Sequence, residues 1–443
     1  MITIEQLKEV MRENGIVGAG GAGFPSYAKL DKSVDTIILN CAECEPLLRL
    51  HRQLLETQAH KILSALDLIS KTLGVKNVFI ALKKAYKDAI KAVEAELDSF
   101  ENIKISTLDE VYPAGDEIIL IYEVTGRVVN PGALPLSVGV NVFNVETIYN
   151  VYRAVYEDTP VVEKYITITG EVKNPQTFIV PVGTKLSTLI ELAGGETVND
   201  AEYVMGGPMM GPLGSIQDYV TKTSNAVIVL PADHYVVMRK KSNSNIGIKR
   251  AMASCSQCHY CSDLCPRHML GHPIEPHKFM RAVSNHDTRD VKPYLDAMFC
   301  SSCGLCEMYS CHQGLSPRSL IADFKAEMRK NGIAAPKGVE AKPISEFRDL
   351  KRVPIERLTS RMGLTKYDGT APISDLEIKP DTVRIMLSQH IGAPAVAVVA
   401  KGDKVSRGQI IGKVPDDKLG THVHASIDGK VAEVTDKYII IKA

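Results

Sequence analysis

The chain has 443 residues, 45% of them hydrophobic and 23% charged, the balance of a globular protein long enough for several domains and unlike that of a disordered or collagenous chain. Its 52 basic and 52 acidic residues cancel, which removes the electrostatic case for nucleic acid or an anionic membrane as partner. No apolar run reaches the length of a membrane-spanning helix, and the start MITIEQLKEVMREN is acidic and amphipathic where a signal peptide is basic and then apolar, so no transmembrane segment and a cytoplasmic setting are expected.

Helical and strand patterns alternate over the first 160 residues, as in a parallel α/β sheet. IEQLKEVMREN reads as a short helix closed by Gly15, DTIIL (Asp35 to Leu39) as a strand, and Leu47 to Gly74 as one long helix. VFIAL (Val78 to Leu82) is the next strand, followed by an Ala- and Lys-rich helix from about Lys84 to Leu97. From Tyr165 to Ala232 short β-rich runs are broken by Gly and Pro around one short helix, STLIELAGG, which indicates a small mixed domain. Helical pieces flank two cysteine-rich runs between Ile246 and Met328. The following stretch, to about Pro380, is charged and proline-bearing with one possible helix, and reads as a linker. The remainder has short strands with turns at GD and DG, a compact all-β unit.

The two runs are CSQCHYCSDLCP, from Cys255, and CSSCGLCEMYSC, from Cys300. The first has the C-x2-C-x2-C-x3-C-P spacing of paired bacterial ferredoxin clusters, in which three close thiolates hold one cluster and the fourth crosses to the other. One 4Fe-4S cluster is therefore expected on Cys255, Cys258, Cys261 and Cys311, and a second on Cys300, Cys303, Cys306 and Cys265. Zinc sites usually take two close pairs instead of a triplet plus one. His259, His268 and His312 read as surface groups or as neighbours of the clusters.

GIVGAGGAGFPSYAKL, from Gly15, contains a formal G-x-G-x-x-G at Gly18, Gly20 and Gly23, but it follows a helix and is broken by Pro25, so the dinucleotide fingerprint's context is missing. Its bare amides suit a phosphate or a flat ring, or else only a turn. NCAECEP (Asn40 to Pro46) follows the strand DTIIL, at the strand end where open α/β sheets bind ligands. Glu43 and Glu45 there are either solvated loop charges or partners of a ribose or flavin edge. Cys41 and Cys44, a C-x2-C, read either as a redox-active pair or, since these glutamates should raise their pKa values, as packed, reduced thiols, the reading favoured here.

Together GAGGAGFP, NCAECEP, YPAGDE (Tyr112 to Glu117) and FNVET (Phe143 to Thr147) resemble, in order, the FMN and NADH site of the flavin subunit of respiratory complex I. With MGGPMMG (Met205 to Gly211), both cysteine runs, LSPRSLI and SQHIGAPA, the chain resembles the RnfC component of the Rnf electron-transport complex and its relative, the cobalamin reductase of propanediol-utilisation microcompartments. The last unit stands at the C-terminus, the order similar to that of the cobalamin reductases. The resemblance implies a multidomain α/β protein: an FMN/NADH-binding α/β domain over 1–160, a β-grasp soluble-ligand-binding domain over 161–240, and an α-helical ferredoxin-type two-cluster domain over 241–332. A linker over 333–380 and a lipoyl-like barrel sandwich over 381–443 complete it. It further implies that Gly18, Gly20, Gly21 and Gly23 line the flavin and its phosphate with Lys29 near by, and that Asn40, Glu43 and Glu45 face flavin or nicotinamide, the two glutamates as the catalytic candidates. Tyr112, Gly115, Asp116 and Glu117 would close the pocket, and Asn144 and Thr147 would reach the FMN phosphate. Ala42 and Phe143 replace an aspartate and an asparagine of complex I.

The implied function is NADH-dependent electron transfer through FMN and two 4Fe-4S clusters to a corrinoid, with an adenosyltransferase and a microcompartment shell as further partners. The other readings are an Rnf-like electron-transfer component with ferredoxin, a reductase or a membrane partner as acceptor, and a non-enzymatic iron-sulfur relay or scaffold without flavin. The β-grasp domain is either a corrinoid contact or a spacer. Lys418 has a spacing similar to that of lipoyl-bearing lysines but is expected to be unmodified, and His422 and His424, alternating on one strand, are expected at the surface.

Overall fold

The computed structural model describes residues 2–443. The first domain is built on four parallel strands, β1 (Thr36–Asn40), β2 (Asn77–Lys83), β3 (Ile103–Leu108) and, after the short β4 (Val111–Tyr112), β5 (Val140–Asn144), in the order β3-β2-β1-β5. Successive side chains of a strand point to opposite faces, so Ile37 and Leu39 of β1 enter one core while Ile38 enters the other. Covering both faces explains why TIIL is apolar without alternation. Helices α1 (Ile4–Glu13), α2 (Leu50–Thr57), α3 (Ala59–Leu73) and α4 (Lys87–Glu94) contribute to the first core, with α6 (Val145–Tyr156); α5 (Glu117–Thr125) serves the second. A capping box at Thr3 starts α1, whose Ile4, Leu7 and Met11 are buried.

The single helix expected from Leu47 to Gly74 is two. Leu47 has a positive φ of 70°, the first helix begins only after Arg49, and Gln58 interrupts the pair with φ −128°. That break turns Leu54 and Leu55 of α2, and Ile62, Leu63 and Leu66 of α3, into one core.

The second domain is a mixed sheet of β6 (Glu163–Gly170), β7 (Gln176–Pro181), β8 (Ala201–Met205), β9 (Leu213–Gly214) and β10 (Ala226–Pro231), ordered β7-β6-β10-β8-β9, with α7 (Leu186–Leu192) packed on its core. The cysteine runs lie among short helices between Ser244 and Lys330. Beyond them the chain is not a free tether. Val353–Pro354 pairs antiparallel with β4, and Leu358, Met362 and Leu364 are fully buried with Tyr112 and Leu305 in one core. This strap ties the cluster-bearing region to the first domain. Residues from Thr382 onward form two small antiparallel sheets around a core of their own. Among the described residues no helix is long and apolar enough to cross a membrane.

Candidate flavin pocket and cluster cradles

From β1 the chain adds β2 and then β3 on one side and returns to place β5 on the other, so the direction of winding switches between β1 and β5. Such a switch leaves a crevice at the carboxyl ends of the two strands. Here those ends are Asn40 and Asn144, directly paired in register. A cavity of 330 Å³ opens there, walled by Gly20, Gly21, Asn40, Ala42 and Asn144 of the first domain and by Gly206, Gly207 and Asn225 of the second.

Of the residues expected around a flavin, Gly20, Gly21, Asn40, Glu43, Glu45, Gly115 and Asn144 line this cavity. Gly18, Gly23, Lys29, Tyr112, Asp116, Glu117 and Thr147 are not on its wall. The amide of Gly18 donates to Phe24 O, and that of Ala19 to the Thr147 hydroxyl at 3.0 Å, which folds the glycine loop. A Cβ on Gly20 would sit 2.5 Å from Asn144 Nδ2, so any larger residue there would displace that side chain from the wall. Gly23 holds a φ of 76° against His390 of the last domain. Lys29 Nζ is held by Glu117 and by Val142 O at 2.8 Å, and Phe143 lies buried beneath it.

Neither glutamate of NCAECEP is a free base. Glu43 accepts the amides of His51 (2.9 Å) and Arg52 (3.1 Å), capping the start of α2. Glu45 accepts those of Met209 (2.8 Å) and Met210 (3.0 Å), in the MGGPMMG loop of the other domain. Burial pushes the Glu45 pKa up, opposed by those two amides and by nearby Lys240. Lys240 in turn donates to Gly211 O, and burial brings its pKa down to about 8. A carboxylate on one side and an ammonium on the other thus fix the loop as the cavity's roof. A Cβ on Gly207 would overlap Glu45 Oε2 at 2.1 Å, so only glycine lets the roof come this close.

Several wall residues were not anticipated: His51, Leu48 and Leu50, and Gly206, Gly207, Met210 and Asn225 from the second domain. MGGPMMG carried the only sequence signal for the roof. Burial lowers the His51 pKa and keeps the ring neutral, with Asn144 Nδ2 3.3 Å away. Cys41 and Cys44 are free thiols whose pKa values rise mainly through burial and only secondarily through Glu43 and Glu45; that of Cys44 is pushed up to about 12.

The lining fits FMN. Among the described residues the amides of Gly20 and Gly21 donate to no protein acceptor, and both are exposed in the wall. They suit a phosphate, the asparagine side chains suit the polar ring edge, and Leu48, Leu50 and Met210 suit its faces.

The cysteines gather in the crossed pattern that their spacing implies. Cys255, Cys258, Cys261 and Cys311 line a cavity of 150 Å³. Burial raises the Cys261 pKa to about 12, with further contributions from Cys311, Cys255 and Cys258. Burial raises the Cys265 pKa to about 12, with Cys300 of the other run adding to the shift, and burial likewise raises that of Cys303, with Cys265 and Cys300 contributing. Cys306 feels Cys300, Cys303 and also Cys261, so the two groups adjoin. Four crowded thiols resist ionising together, and bound iron removes that penalty. In the first set the four cysteines surround a space, the cavity of 150 Å³, instead of converging on a point. A cluster fits such a cradle better than zinc does.

Both runs use the same backbone. Gln257 and His259 in the first, Ser302 and Gly304 in the second, all have positive φ, between 54° and 80°. This geometry turns amides inward, and Cys300 Sγ accepts the Ser302 amide at 3.3 Å. His259 is exposed and stacks on His277 at 3.9 Å, and His312 lies beside Tyr260. His268 is partly buried, with its pKa lowered by burial.

Pocket and cradles meet at YPAGDE. Gly115 lines the flavin-sized cavity, the Tyr112 hydroxyl donates to Cys303 O at 2.5 Å, and Asp116 pairs with Arg267 at 2.8 Å, two residues beyond Cys265.

His422 and His424 are not surface residues. Both are 4% exposed, because the last domain docks against α1 and against Lys222 of the second domain. Lys418 is exposed beside Asp417.

Residues 11–153 match the Nuo51 FMN-binding domain, 165–213 the SLBB domain, 254–316 a 4Fe-4S dicluster domain and 364–442 the RnfC barrel sandwich hybrid domain. The chain is 39% identical to cobalamin reductase PduS of Citrobacter freundii, over 99% of this chain and 96% of that protein. It is 40% identical to PduS of Salmonella typhimurium, over 99% and 97%. A component of the Na(+)-translocating ferredoxin:NAD(+) oxidoreductase complex of Acetobacterium woodii is 34% identical over 60% of this chain and 58% of its own length. An FMN-binding domain and a 4Fe-4S dicluster domain on one chain, with this identity to the PduS proteins over nearly the full length of both partners in the comparison, show that the chain belongs to the PduS cobalamin reductase family.

Proposed function

We propose that the chain is an NADH-dependent cobalamin reductase, with FMN in the cavity between β1 and β5, clusters on the two cysteine cradles, and a corrinoid as acceptor. The observation that carries this reading is the shared loop: a single turn, Tyr112 to Asp116, contributes Gly115 to the cavity and two side-chain contacts to the cradle of Cys300, Cys303, Cys306 and Cys265. When bound, FMN accepts a hydride and passes electrons singly, and the clusters carry single electrons.

The protein's own part is positioning. Gly20 and Gly21 offer amides to a phosphate, and Asn40 and Asn144 hold the polar edge at the strand ends. Glu43 acts through α2, and Glu45 holds the roof; hydride transfer asks neither for a proton. Lys29, Glu117 and Thr147 brace the loops from behind, and Tyr112 and Asp116 fix the distance to the nearer cradle. The same reading places the chain in the cytoplasm or inside a bacterial microcompartment, supplying reduced corrinoid to an adenosyltransferase.

Anaerobic protein reconstituted with iron, sulfide and FMN should oxidise NADH faster with cobalamin present than without it. A rate with artificial acceptors but none above background with cobalamin would transfer the activity to another acceptor.

A further inference from the structure

Two carboxylates face the cradle of Cys300, Cys303, Cys306 and Cys265: Asp116 bears on Cys303 and Glu307 on Cys306. Each is matched. Asp116 pairs with Arg267 at 2.8 Å, and Glu307 accepts the amide and hydroxyl of Ser319 at 2.9 and 3.0 Å with Arg239 3.8 Å away. Lys325 is not matched. Its Nζ donates to Cys300 O at 2.7 Å, and the group that favours its charge is the Cys300 sulfur; among the described residues no carboxylate lies within ion-pair distance. The helix Pro317–Lys330 fixes its place, because Leu320 and Ile321 are buried, Phe324 packs on the same core, and Cys300 lies against that core. Lys325 follows Ile321 by one turn and so shares the packed face, with its side chain partly buried. A cation held there without a counterion is unfavourable unless the cradle itself supplies negative charge.

The other cradle is built differently. The charges that act on Cys261 are the other three cysteines of its set. Its sulfurs take neutral donors, Gln257 Nε2 on Cys255 at 3.1 Å and the Leu315 amide on Cys311 at 3.3 Å.

We propose that Lys325 sets the reduction potential of the cluster on Cys300, Cys303, Cys306 and Cys265, raising it while leaving that of the other cluster nearly unchanged. Four thiolates around iron leave a net negative charge, and one electron arriving without a proton adds to it. A fixed ammonium stabilises the reduced form more than the oxidised one, and most where water is partly excluded. This is the cradle that Tyr112 joins to the flavin-sized cavity, so the charge favours departure of the first electron from the pocket. The inference rests on the clusters and on neither NADH nor the corrinoid.

The test is a redox titration of iron-replete, anaerobic protein with dithionite and mediators, followed by electron paramagnetic resonance, with no NADH or cobalamin present. Lys325→Gln should lower the midpoint potential of one signal, the one that Cys265→Ser removes, by about tenfold in the reduction equilibrium, or about 60 mV for one electron. The other signal should keep its potential. Lys325→Arg should restore most of the shift, and Lys330→Gln, exposed on the same helix, should move neither signal. Wild-type iron content shows that both cradles are filled; where Lys325→Gln falls short, Lys325→Met, which keeps an apolar stem of similar length, decides. Unchanged potentials, equal shifts of both signals, or a shift that arginine fails to restore overturns the proposal. Loss of iron from both the glutamine and the methionine variants also overturns it, by making Lys325 a structural residue.

Discussion

The hydroxyl of Tyr112 donates to the main-chain carbonyl of Cys303 at 2.5 Å, joining the loop that walls the flavin-sized cavity to a ligand loop of the nearer cradle. Tyr112 is 3% exposed, so removing the hydroxyl strands a buried carbonyl and costs about 1–3 kcal/mol. Tyr112→Phe should keep its flavin and iron. Stopped-flow absorbance should show flavin bleaching by NADH at the wild-type rate and cluster reduction several-fold slower. Equal rates for both phases would mean that the contact plays no part in coupling.

The crossed cysteines give a sharper expectation. Cys311 belongs with Cys255, Cys258 and Cys261, and Cys265 with the second run. Cys311→Ser should therefore cost the cluster of the first run while leaving the second, and Cys265→Ser the reverse. Iron analysis should fall by about half in each variant. Electron paramagnetic resonance of dithionite-reduced protein should lose a different signal in each. Loss of the same signal in both would contradict the crossing.

Asp116 caps α5 through the amides of Ile118 and Ile119 and also pairs with Arg267. Arg267→Leu leaves a largely buried carboxylate without its cation, which should cost about 2–4 kcal/mol in denaturant unfolding. Asp116→Asn keeps a capping oxygen and should cost less. If the arginine variant unfolds like wild type, the pair does not hold the two regions together.

The junction of three domains at Lys222 should weaken in acid. Burial lowers the His424 pKa from 6.5 to about 3, with Lys222 and His422 adding to the shift. The unfolded chain therefore binds the extra proton between those values, and stability is lost as pH falls from 6.5 towards 3. Lys222, lowered by burial to about 7, adds a gain in stability as pH rises from there towards its ordinary range. Unfolding free energies at pH 7.5 and 4.5 should differ by about 2.7 kcal/mol from His424 alone. His424→Leu should remove that part of the slope at a loss of about 1 kcal/mol at pH 7.5, because its Nδ1 has no partner and only its bond to the Glu13 main chain is given up. An unchanged slope would place the acid sensitivity elsewhere.

These features were unequally legible in the sequence. Cysteine spacing was enough to say which thiols would gather, Cys311 with the first run and Cys265 with the second, before any fold was known. The strand TIILN and its ligand-binding end were legible because doubly covered strands are continuously apolar. The roles of Glu43 and Glu45 were not: their partners are amides in α2 and in a loop of another domain, and a pattern of neighbours along the chain cannot report a contact 164 residues away. Alternation placed His422 and His424 on one face, but only docking against Glu13 and Lys222 decides that the face is inside. The break at Gln58 escaped because the apolar period continues across it.

The most direct measurement is an anaerobic titration of reconstituted protein with NADH, followed by absorbance and electron paramagnetic resonance. Electron flow from the pocket into both cradles predicts bleaching of flavin and of iron-sulfur absorbance together, with NADH consumed to match one flavin and two clusters, and reoxidation on adding cobalamin. Flavin bleaching with the clusters left oxidised, or cradles filled by zinc, would contradict it.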